Sequence, residues 1–267
     1  MLHLLKIDLK KMTSYRTFWV VCGLYFLTLG FGAASGMELL KLAARLIESL
    51  GENLNVNRIP IYHFPDVWLN LIWCSGFLKI ILAIMVVISV TNEFSYRTIR
   101  QNVIDGLSRE EFLLSKILTN GLLALMSVGM IFIIGLVTGL IYSPVIRFQY
   151  LITDLEFFVA YFLELFFFLS YALLISIFIQ RSGLTIILLL LSQAIEAIIT
   201  SNIDEVVPDL IPFFPMRSIW NLIEWPFPRY WLQEIKDSLS LGSVAIVFGW
   251  IVVFNSLSYY KLKRMDI

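Results

Sequence analysis

Charged residues, histidines and cysteines are scarce in this chain of 267 residues. Only 15% of the residues are charged, compared with roughly a quarter in an ordinary soluble domain. The two cysteines, Cys22 and Cys74, both lie inside apolar stretches and are too few for a disulfide framework or a zinc site. The formal net charge of zero lacks the basic excess of a nucleic-acid-binding surface. The composition therefore argues against a disulfide framework, a zinc site and a nucleic-acid-binding surface.

The sequence also lacks the motifs of the usual ATP-binding and proteolytic sites. No Gly-x-x-x-x-Gly-Lys-Ser/Thr phosphate loop occurs, so the chain is not expected to bind ATP in the usual way. The two histidines, His3 and His63, do not have the spacing of a His-Glu-x-x-His zinc helix. We therefore expect no enzymatic activity, cofactor or metal on this chain.

Apolar residues are abundant instead, at 59% of the sequence with a mean hydropathy of +0.83. A helix of about 20 mostly apolar residues crosses the hydrocarbon core of a bilayer. Six stretches meet this requirement: 18–34, 68–91, 117–142, 157–180, 184–200 and 242–260. Because these runs are continuously apolar rather than alternating, they predict helices. The predicted fold class is an all-α polytopic membrane protein with one transmembrane domain over residues 1–267.

Lysine and arginine are unevenly distributed over the loops between these six stretches. More of them lie on the side that holds both chain termini, so both termini are predicted to be cytoplasmic. Residues 2–16 are predicted to form an amphipathic helix on the membrane surface. Its polar side comprises Lys6, Asp8, Lys10 and Lys11. The alternative for this segment is a basic flank that only fixes the topology.

The loop between the second and third predicted spans, residues 91–116, carries the most specific pattern. Glu93 and Arg97 are four residues apart, so a helix leaving the membrane would place them as ion-pair neighbours. A turn signal and the spacing of a capping box follow, at Asp105-Gly106 and at Ser108 with Glu111. We predict a helical hairpin that projects into the cytoplasm. The alternative is a plain polar connector between two spans.

The same segment resembles the permeases of ABC-2 type exporters. The shared pattern is a glutamate after the second span, then Arg-Thr-x-Arg, Ser-Arg after a turn, and Ser-Lys before the third span. Here these positions are Glu93, Arg97-Thr98-Ile99-Arg100, Ser108-Arg109 and Ser115-Lys116. The six-span layout, an N-terminal "elbow" helix and cytoplasmic termini extend the resemblance. Two departures are Arg97, where many members have a glycine before the threonine, and Gly106-Leu107, where a proline is common.

The resemblance implies that the hairpin is a coupling helix, which docks in a cleft of a separate ATP-binding subunit. The implied coupling residues are Glu93, Arg97, Thr98, Arg100, Ile104, Ser108, Arg109 and Lys116. A mixed surface of this kind suits a small apolar anchor inside a charged rim. The candidate anchors are Ile99, Val103, Ile104 and Leu107, and the candidate rim residues are Arg97, Arg100 and Arg109.

The resemblance also implies partners and a location. ATP and Mg²⁺ would bind the ATPase partner rather than this chain. A second permease chain, identical or a sister, would complete the complex among the lipids of the bacterial cytoplasmic membrane.

Three ionisable residues fall inside the predicted spans: Lys79, Glu164 and Glu196. A charge at the bilayer centre costs about 2.5–3.5 kcal/mol on insertion scales, so each is expected to have a partner or a wet cavity. Lys79 and Glu164 are within reach of each other if their helices touch. They either form a buried pair that holds two helices together or belong to the transport path and its outer gate.

Two functions of different classes are consistent with these features. The first is the membrane subunit of an ATP-driven exporter of a hydrophobic or amphipathic substrate, such as a lipid, peptide or drug. The second is an ion-coupled secondary carrier that uses Lys79, Glu164 and Glu196 as a relay. Carriers are commonly built from internal repeats. The first and last three spans show no convincing repeat, which favours the exporter.

Two further segments predict packing around the spans. Residues 201–241 combine prolines, tryptophans and apolar pieces too short to span, which predicts re-entrant or interfacial helices. The alternative is a loop on the outer membrane surface.

Gly135 and Gly139, four residues apart in the third span, have the spacing of a close helix contact.

Overall fold

The computed structural model describes residues 2–48, 61–104, 106–204, 206–228 and 238–265, and in these ranges the regular secondary structure is entirely helical. The first six helices are α1 (Leu2–Ser14), α2 (Arg16–Glu48), α3 (Val67–Gly76), α4 (Lys79–Ser95), α5 (Thr98–Ile104) and α6 (Arg109–Tyr142). The other helices are α7 (Phe148–Ile152), α8 (Glu156–Ile179), α9 (Ser182–Ile203), a 3-10 helix (Pro208–Phe213), α10 (Pro215–Trp220) and α11 (Leu241–Arg264). The described part of the chain thus has the predicted all-helical class.

Several of these helices are long and apolar enough to cross a membrane. In the described part of the chain there are four such stretches: Arg109–Tyr142, Phe148–Ile179, Ser182–Ile203 and Leu241–Arg264. Counting the bent pair α3–α4 as one span raises the number to five. These five overlap the predicted spans from 68–91 onward. The first predicted span, 18–34, lies in α2, where the apolar helix Arg16–Gly32 is shorter than the other candidates.

A bend of 43° separates α3 from α4, where the sequence predicts one continuous span. The bend follows Ser75-Gly76, and Gly/Ser pairs are among the usual sites of sharp helix kinks. A Cβ at Gly76 would lie 3.0 Å from a carboxylate oxygen of Glu164, so the glycine leaves room for this acid. The bend therefore places the start of α4, with Lys79, beside α8.

Helix α8 lies at the centre of the bundle and packs against α4, α6 and α11. Its sequence is apolar on every side, which is typical of a buried helix. Large side chains such as Tyr161, Phe167 and Leu173 are completely buried. Helix α9 is much less buried than α8. Of its 18 most apolar consecutive residues 17% are buried, compared with 56% in the stretch that contains α8. Helix α9 therefore has apolar surface available for lipid or for another subunit.

Two short helices occupy the described part of the region predicted to be re-entrant. A proline starts each of them, at Pro208 and Pro215, where its missing N–H is not needed. Trp250 of α11 donates its Nε1–H to the Phe213 carbonyl at 2.9 Å, and α10 packs against α9 and α11. The two short helices are therefore held against the longer ones. The remainder of this region, residues 229–237, lies outside the described residues.

Candidate functional site

The predicted hairpin consists of the end of α4, the short helix α5 and the start of α6. Tyr96 and Arg97 connect the first two, and Arg97 has a φ of 55°, in the left-handed region that glycine tolerates best. This is the position where many members of the resembling family have a glycine. Gly106 has a φ of 95° in the turn before α6. Asp105, the other half of the predicted turn signal, lies outside the described residues.

Local hydrogen bonds hold the start of α5 and the start of α6. The predicted capping box is confirmed: the N–H of Glu111 donates to Ser108 Oγ at 3.1 Å, and the N–H of Ser108 donates to Glu111 Oε2 at 2.8 Å. At the start of α5, Thr98 Oγ1 donates to the Glu93 carbonyl at 3.2 Å. The hairpin therefore has a defined shape of its own before any partner binds.

Lys116 lies at the centre of a buried charge cluster that comprises Asp8, Glu93, Lys116 and Thr119. The Lys116 ammonium donates to Asp8 Oδ1 at 2.5 Å and contacts the Glu93 carboxylate directly. Thr119 Oγ1 donates to the other carboxylate oxygen of Asp8 at 2.6 Å. Asp8, Glu93 and Lys116 are only 3–4% exposed. One buried cation thus joins α1, α4 and α6 through two carboxylates.

Lys11 partly balances the second negative charge of the buried charge cluster. Its Nζ lies 3.7 Å from Glu93 Oε2 and donates to Asn102 Oδ1 at 2.9 Å. Asn102 Nδ2 in turn donates to Glu93 Oε2 at 3.4 Å. Helix α1 is therefore bound to α5 as well as to α4 and α6.

The assignment of Asp8 to the polar, water-facing side of α1 is wrong. Its carboxylate is buried against Lys116, although Asp8 is the acidic residue of an otherwise basic helix. A signal for this position exists in the sequence. Asp8 precedes Met12 by four residues and therefore shares a helix face with it, and Met12 is also buried. The lone acid of α1 belongs to the face that packs on the bundle.

The expected pairing of Glu93 with Arg97 is also wrong. Helix α4 ends at Ser95, and the left-handed Arg97 turns the chain before the two side chains can align on one helix face. In the described residues, the Glu93 carboxylate pairs with Lys116 and Lys11. The i, i+4 rule fails here because it requires a continuous helix, and the sequence does not reveal that the helix ends between the two residues.

Five exposed residues form the outward surface of the hairpin, which we call the hairpin tip: Tyr96, Arg97, Arg100, Val103 and Ile104. Of the candidate anchors, Ile104 is 72% exposed and Val103 is 40% exposed, whereas Ile99 is buried and Leu107 is half-buried. Of the other expected coupling residues, Glu93 and Lys116 are buried, Thr98 is half-buried, and Ser108 is exposed at the start of α6.

Arg109, expected at the charged rim, instead contacts the C-terminal end of α11. Its Nη1 donates to the carbonyl oxygens of Leu262 and Lys263 at 3.0 and 2.7 Å, so it satisfies carbonyls that a helix end leaves unpaired. The neighbouring Glu110 accepts a hydrogen bond from Tyr259 at 2.6 Å. These contacts fix the start of α6 to the last turns of α11.

The structure brings Lys79 and Glu164 together near the bend between α3 and α4. The Lys79 ammonium donates to Glu164 Oε1 at 2.6 Å, and both side chains are buried. The same ammonium lies 5.3 Å from the ring centroid of Trp220 and 5.6 Å from that of Phe168, within the range of cation–π attraction. The pair therefore links α4 to α8 and also contacts the last residue of α10. No local sequence signal identifies Trp220, because it reaches Lys79 from a distant part of the chain.

Glu196 does not join this pair. Its Oε1 accepts the main-chain N–H of Arg217 at 2.8 Å, in the first turn of α10, where a helix has N–H groups without internal partners. Lys79 contacts the last residue of α10 and Glu196 contacts its first turn. The predicted intramembrane charges thus hold α10 at both ends.

Within the described ranges, no three side chains of His, Cys, Asp or Glu are grouped in a way that could hold a metal ion. The described residues form a set of ion pairs, a hairpin of defined shape and several apolar helices long enough to cross a membrane. This arrangement defines the class of helical, multi-pass membrane proteins.

Comparison with known protein families agrees with this class. The family model described as "ABC-2 family transporter protein" matches residues 2–267 of the chain. The chain belongs to this family and is a multi-pass, helical membrane component of an ABC-2 transporter. Members of the family lack the catalytic ATPase domain and generally work with an ATPase partner, so the chain is not the ATP-hydrolysing component. A search of curated proteins finds no match.

Proposed function

We propose that the chain is the permease subunit of an ATP-driven exporter and that it spans the bacterial cytoplasmic membrane six times, with both termini in the cytoplasm. ATP would bind and be hydrolysed on a separate ATPase subunit that docks on the hairpin tip. A second permease chain, identical or a sister, would complete the transport path. The substrate would be a hydrophobic or amphipathic molecule such as a lipid, peptide or drug.

The observation that carries the docking proposal is the composition of the hairpin tip. Tyr96, Val103 and Ile104 expose apolar surface, and Arg97 and Arg100 lie beside it. Burial of such an apolar surface in an interface stabilises a complex because it excludes water, and arginines at the edge of the interface pair with carboxylates of the partner.

The acidic residues in the described part of the hairpin, which does not include Asp105, are already engaged elsewhere. Glu93 is buried against Lys116, Glu110 accepts from Tyr259, and Glu111 is occupied by the capping box. The five residues that define the hairpin tip therefore carry two positive charges and no negative charge. We infer that the receiving cleft of the ATPase has an apolar socket with an acidic rim.

A substitution at the hairpin tip tests this function. Ile104→Asp places a carboxylate in the middle of the apolar anchor, so co-purification of an ABC ATPase subunit with the tagged permease should fall at least tenfold. The loss corresponds to about 1.4 kcal/mol or more, which is ordinary for an interface hot spot. Bound ATPase is measured by quantitative immunoblot and by ATP hydrolysis of the purified complex.

The matched control is Ile152→Asp in α7, where an isoleucine is 51% exposed. It lies in the loop predicted to face the opposite side of the membrane, so ATPase binding should remain at the wild-type level. Equal ATPase binding by the two variants would contradict docking at the hairpin tip. Transport that is driven by an ion gradient in the absence of ATP would contradict the exporter itself.

We also propose that Lys79 and Glu164 are a structural pair rather than a relay. Each neutralises the other at 2.6 Å, and aromatic rings cover the ammonium. Glu196 is engaged with α10, away from them. A carrier that uses the three residues in sequence would need a connected path between them, so the ion-coupled alternative has less support than the exporter.

The six-span layout requires that α2 also crosses the membrane. Its apolar segment Arg16–Gly32 has 17 residues, but the helix itself continues to Glu48 without a break. Helices that exceed or fall short of the hydrocarbon thickness adapt by tilting or by local changes in the bilayer. A first span within α2 places α1 on the same side of the membrane as the hairpin, in agreement with the contacts between them.

A further inference from the structure

A cavity of about 620 Å³ lies between α9 and α10. Its volume falls within the range of about 300–1,000 Å³ that is usual for small-molecule sites. The space exists because α9 presents small side chains there, Ala197 and Ser201, opposite the short helix α10. With α9 as the fifth predicted span, the cavity belongs to the outer half of the membrane region.

One face of α9 supplies polar groups to this cavity. Gln193, Glu196, Thr200 and Asp204 follow one another at intervals of three or four residues, which places them on the same side of the helix. Its other faces are apolar, with exposed residues such as Ile187, Leu191 and Ile195. A polar stripe on a membrane helix is costly unless it faces protein or a wet cavity, and such stripes mark substrate paths.

The opposite wall of the cavity is largely apolar. Ile211, Met216 and Trp220 line it, and the ring of Trp220 also borders the small space around Lys79 and Glu164. The indole therefore separates the cavity from the buried ion pair. An aromatic face beside carboxylates is a common arrangement for binding organic cations, because the ring quadrupole and the carboxylates attract the same charge.

Carboxylates outnumber cationic groups around the cavity. Glu196 and Asp204 both line it, whereas Arg217 is its one cationic lining residue in the described part of the chain. Arg217 uses its main-chain N–H to bind Glu196, and its side chain is exposed. The charge of the wall therefore favours a positive ligand, and the apolar wall favours one with a hydrophobic body.

We propose that this cavity binds amphipathic organic cations and forms part of the substrate path. The inference rests on the proposed exporter function and narrows its substrate class, from hydrophobic or amphipathic molecules in general to those with a basic or quaternary head group. The carboxylates of Glu196 and Asp204 attract the head group, and Ile211, Met216 and Trp220 contact the apolar body.

A pair of probes of equal shape and opposite charge tests the proposal. Tetraphenylphosphonium and tetraphenylborate are added to the purified permease in lipid nanodiscs, and bound probe is measured by equilibrium dialysis against empty nanodiscs. The cation should bind to the protein and the anion should not. The double variant Glu196→Gln, Asp204→Asn should bind the cation at least tenfold more weakly, which is about 1.4 kcal/mol.

The substitutions are chosen to leave the fold intact. Glutamine at 196 keeps an oxygen that can accept the Arg217 N–H, and Asp204 is exposed. The control is Asp209→Asn, an exposed acid of the neighbouring 3-10 helix that does not line the cavity. It should bind the cation like the wild type.

Two results would overturn the cation site: equal binding of both probes, or equal binding of the cation by the wild type and the double variant. The measurement uses the permease without any ATPase. A failure of ATPase docking at Ile104 would therefore leave the binding result unchanged, and a failure of cation binding would leave the docking result unchanged.

Discussion

At the scale of single residues, two buried lysines join separate parts of the bundle. Lys116 faces Asp8 and Glu93 where α1, α4 and α6 meet, and Lys79 faces Glu164 near the bend between α3 and α4. Removing one partner of a buried ion pair leaves an uncompensated charge, whereas replacing both by apolar groups removes the desolvation cost as well. The two lysines therefore matter more for stability than the exposed lysines of α1.

Neutralising either lysine should destabilise the protein strongly. Lys116→Met and Lys79→Met should each lower the free energy of unfolding by about 3–5 kcal/mol, because they leave buried carboxylates unpaired. Thermal unfolding of the purified protein in detergent measures the effect. Lys10→Met, at an exposed position of α1, is the control and should melt like the wild type.

The double variant Lys79→Met, Glu164→Leu separates structure from transport. It should recover most of the stability lost in Lys79→Met, and transport should recover with it if the pair is structural. Recovery of stability without recovery of transport would instead assign the pair to the transport path.

The position of Arg97 in the hairpin can be predicted from the sequence, but its backbone conformation cannot. The pattern around it identifies the hairpin, and the absence of glycine is visible as a departure from the resembling family. The left-handed φ of 55° explains why glycine is preferred there, but nothing in the composition reveals that angle. The expected pairing of Arg97 with Glu93 fails because α4 ends between them, and the placement of Asp8 on the polar side fails because that face of α1 packs on the bundle.

At the scale of elements, α6 is shaped by its glycines. A Cβ at Gly135 would lie 2.6 Å from a ring carbon of Trp68, and one at Gly139 would collide with the ring of Phe64. Gly129, on the same helix, has nothing within 4 Å of such a position. The spacing of Gly135 and Gly139 predicts a close contact, and the structure supplies the partners: aromatic side chains of α3 and of the segment before it.

These glycines give a matched pair of substitutions. Gly135→Ala should destabilise the protein by about 1–3 kcal/mol, the usual result of overpacking a filled site. Gly129→Ala should be neutral or stabilising by up to about 1 kcal/mol, because alanine favours the helix and nothing is in its way. Thermal unfolding in the same detergent compares the two. Equal melting temperatures would mean that the ring of Trp68 moves aside without cost.

The elements themselves are more predictable than their contacts. Long apolar runs predict helices because a helix pairs all of its backbone N–H and C=O groups within the segment itself, as the lipid requires. The predicted stretches from 117–142 onward accordingly correspond to long helices in the structure. The capping box at Ser108 and Glu111 was likewise readable from spacing. The bend after Gly76 and the anchoring of α10 depend on residues far apart in the chain, and no local pattern contains that information.

At the scale of the whole molecule, the surfaces of the two ends differ. One end carries the hairpin, bound to α1 and to the end of α11, and the opposite end carries short helices over a cavity. The proposed docking surface and the proposed binding cavity thus lie at opposite ends of the same bundle.

Cysteine labelling tests this topology. In a background of Cys22→Ala and Cys74→Ala, single substitutions Ile104→Cys and Ile152→Cys are exposed to a membrane-impermeant maleimide on intact cells. We expect Ile152→Cys to react at once and Ile104→Cys to react only after the cells are permeabilised. Reaction of Ile104→Cys in intact cells would reverse the proposed orientation.

The buried charge cluster has a mechanical consequence for the lipid around the protein. Because α1 is tied to the hairpin by Lys116 and to α2 through the Trp19 indole, which donates to the Thr13 carbonyl at 2.9 Å, the hairpin cannot move without α1. In the proposed orientation, α1 lies among the inner-leaflet head groups. Movement of the hairpin during the proposed ATP-driven cycle would therefore also move α1 through the inner leaflet. The viscosity and anionic lipid content of the membrane would then affect the rate of transport.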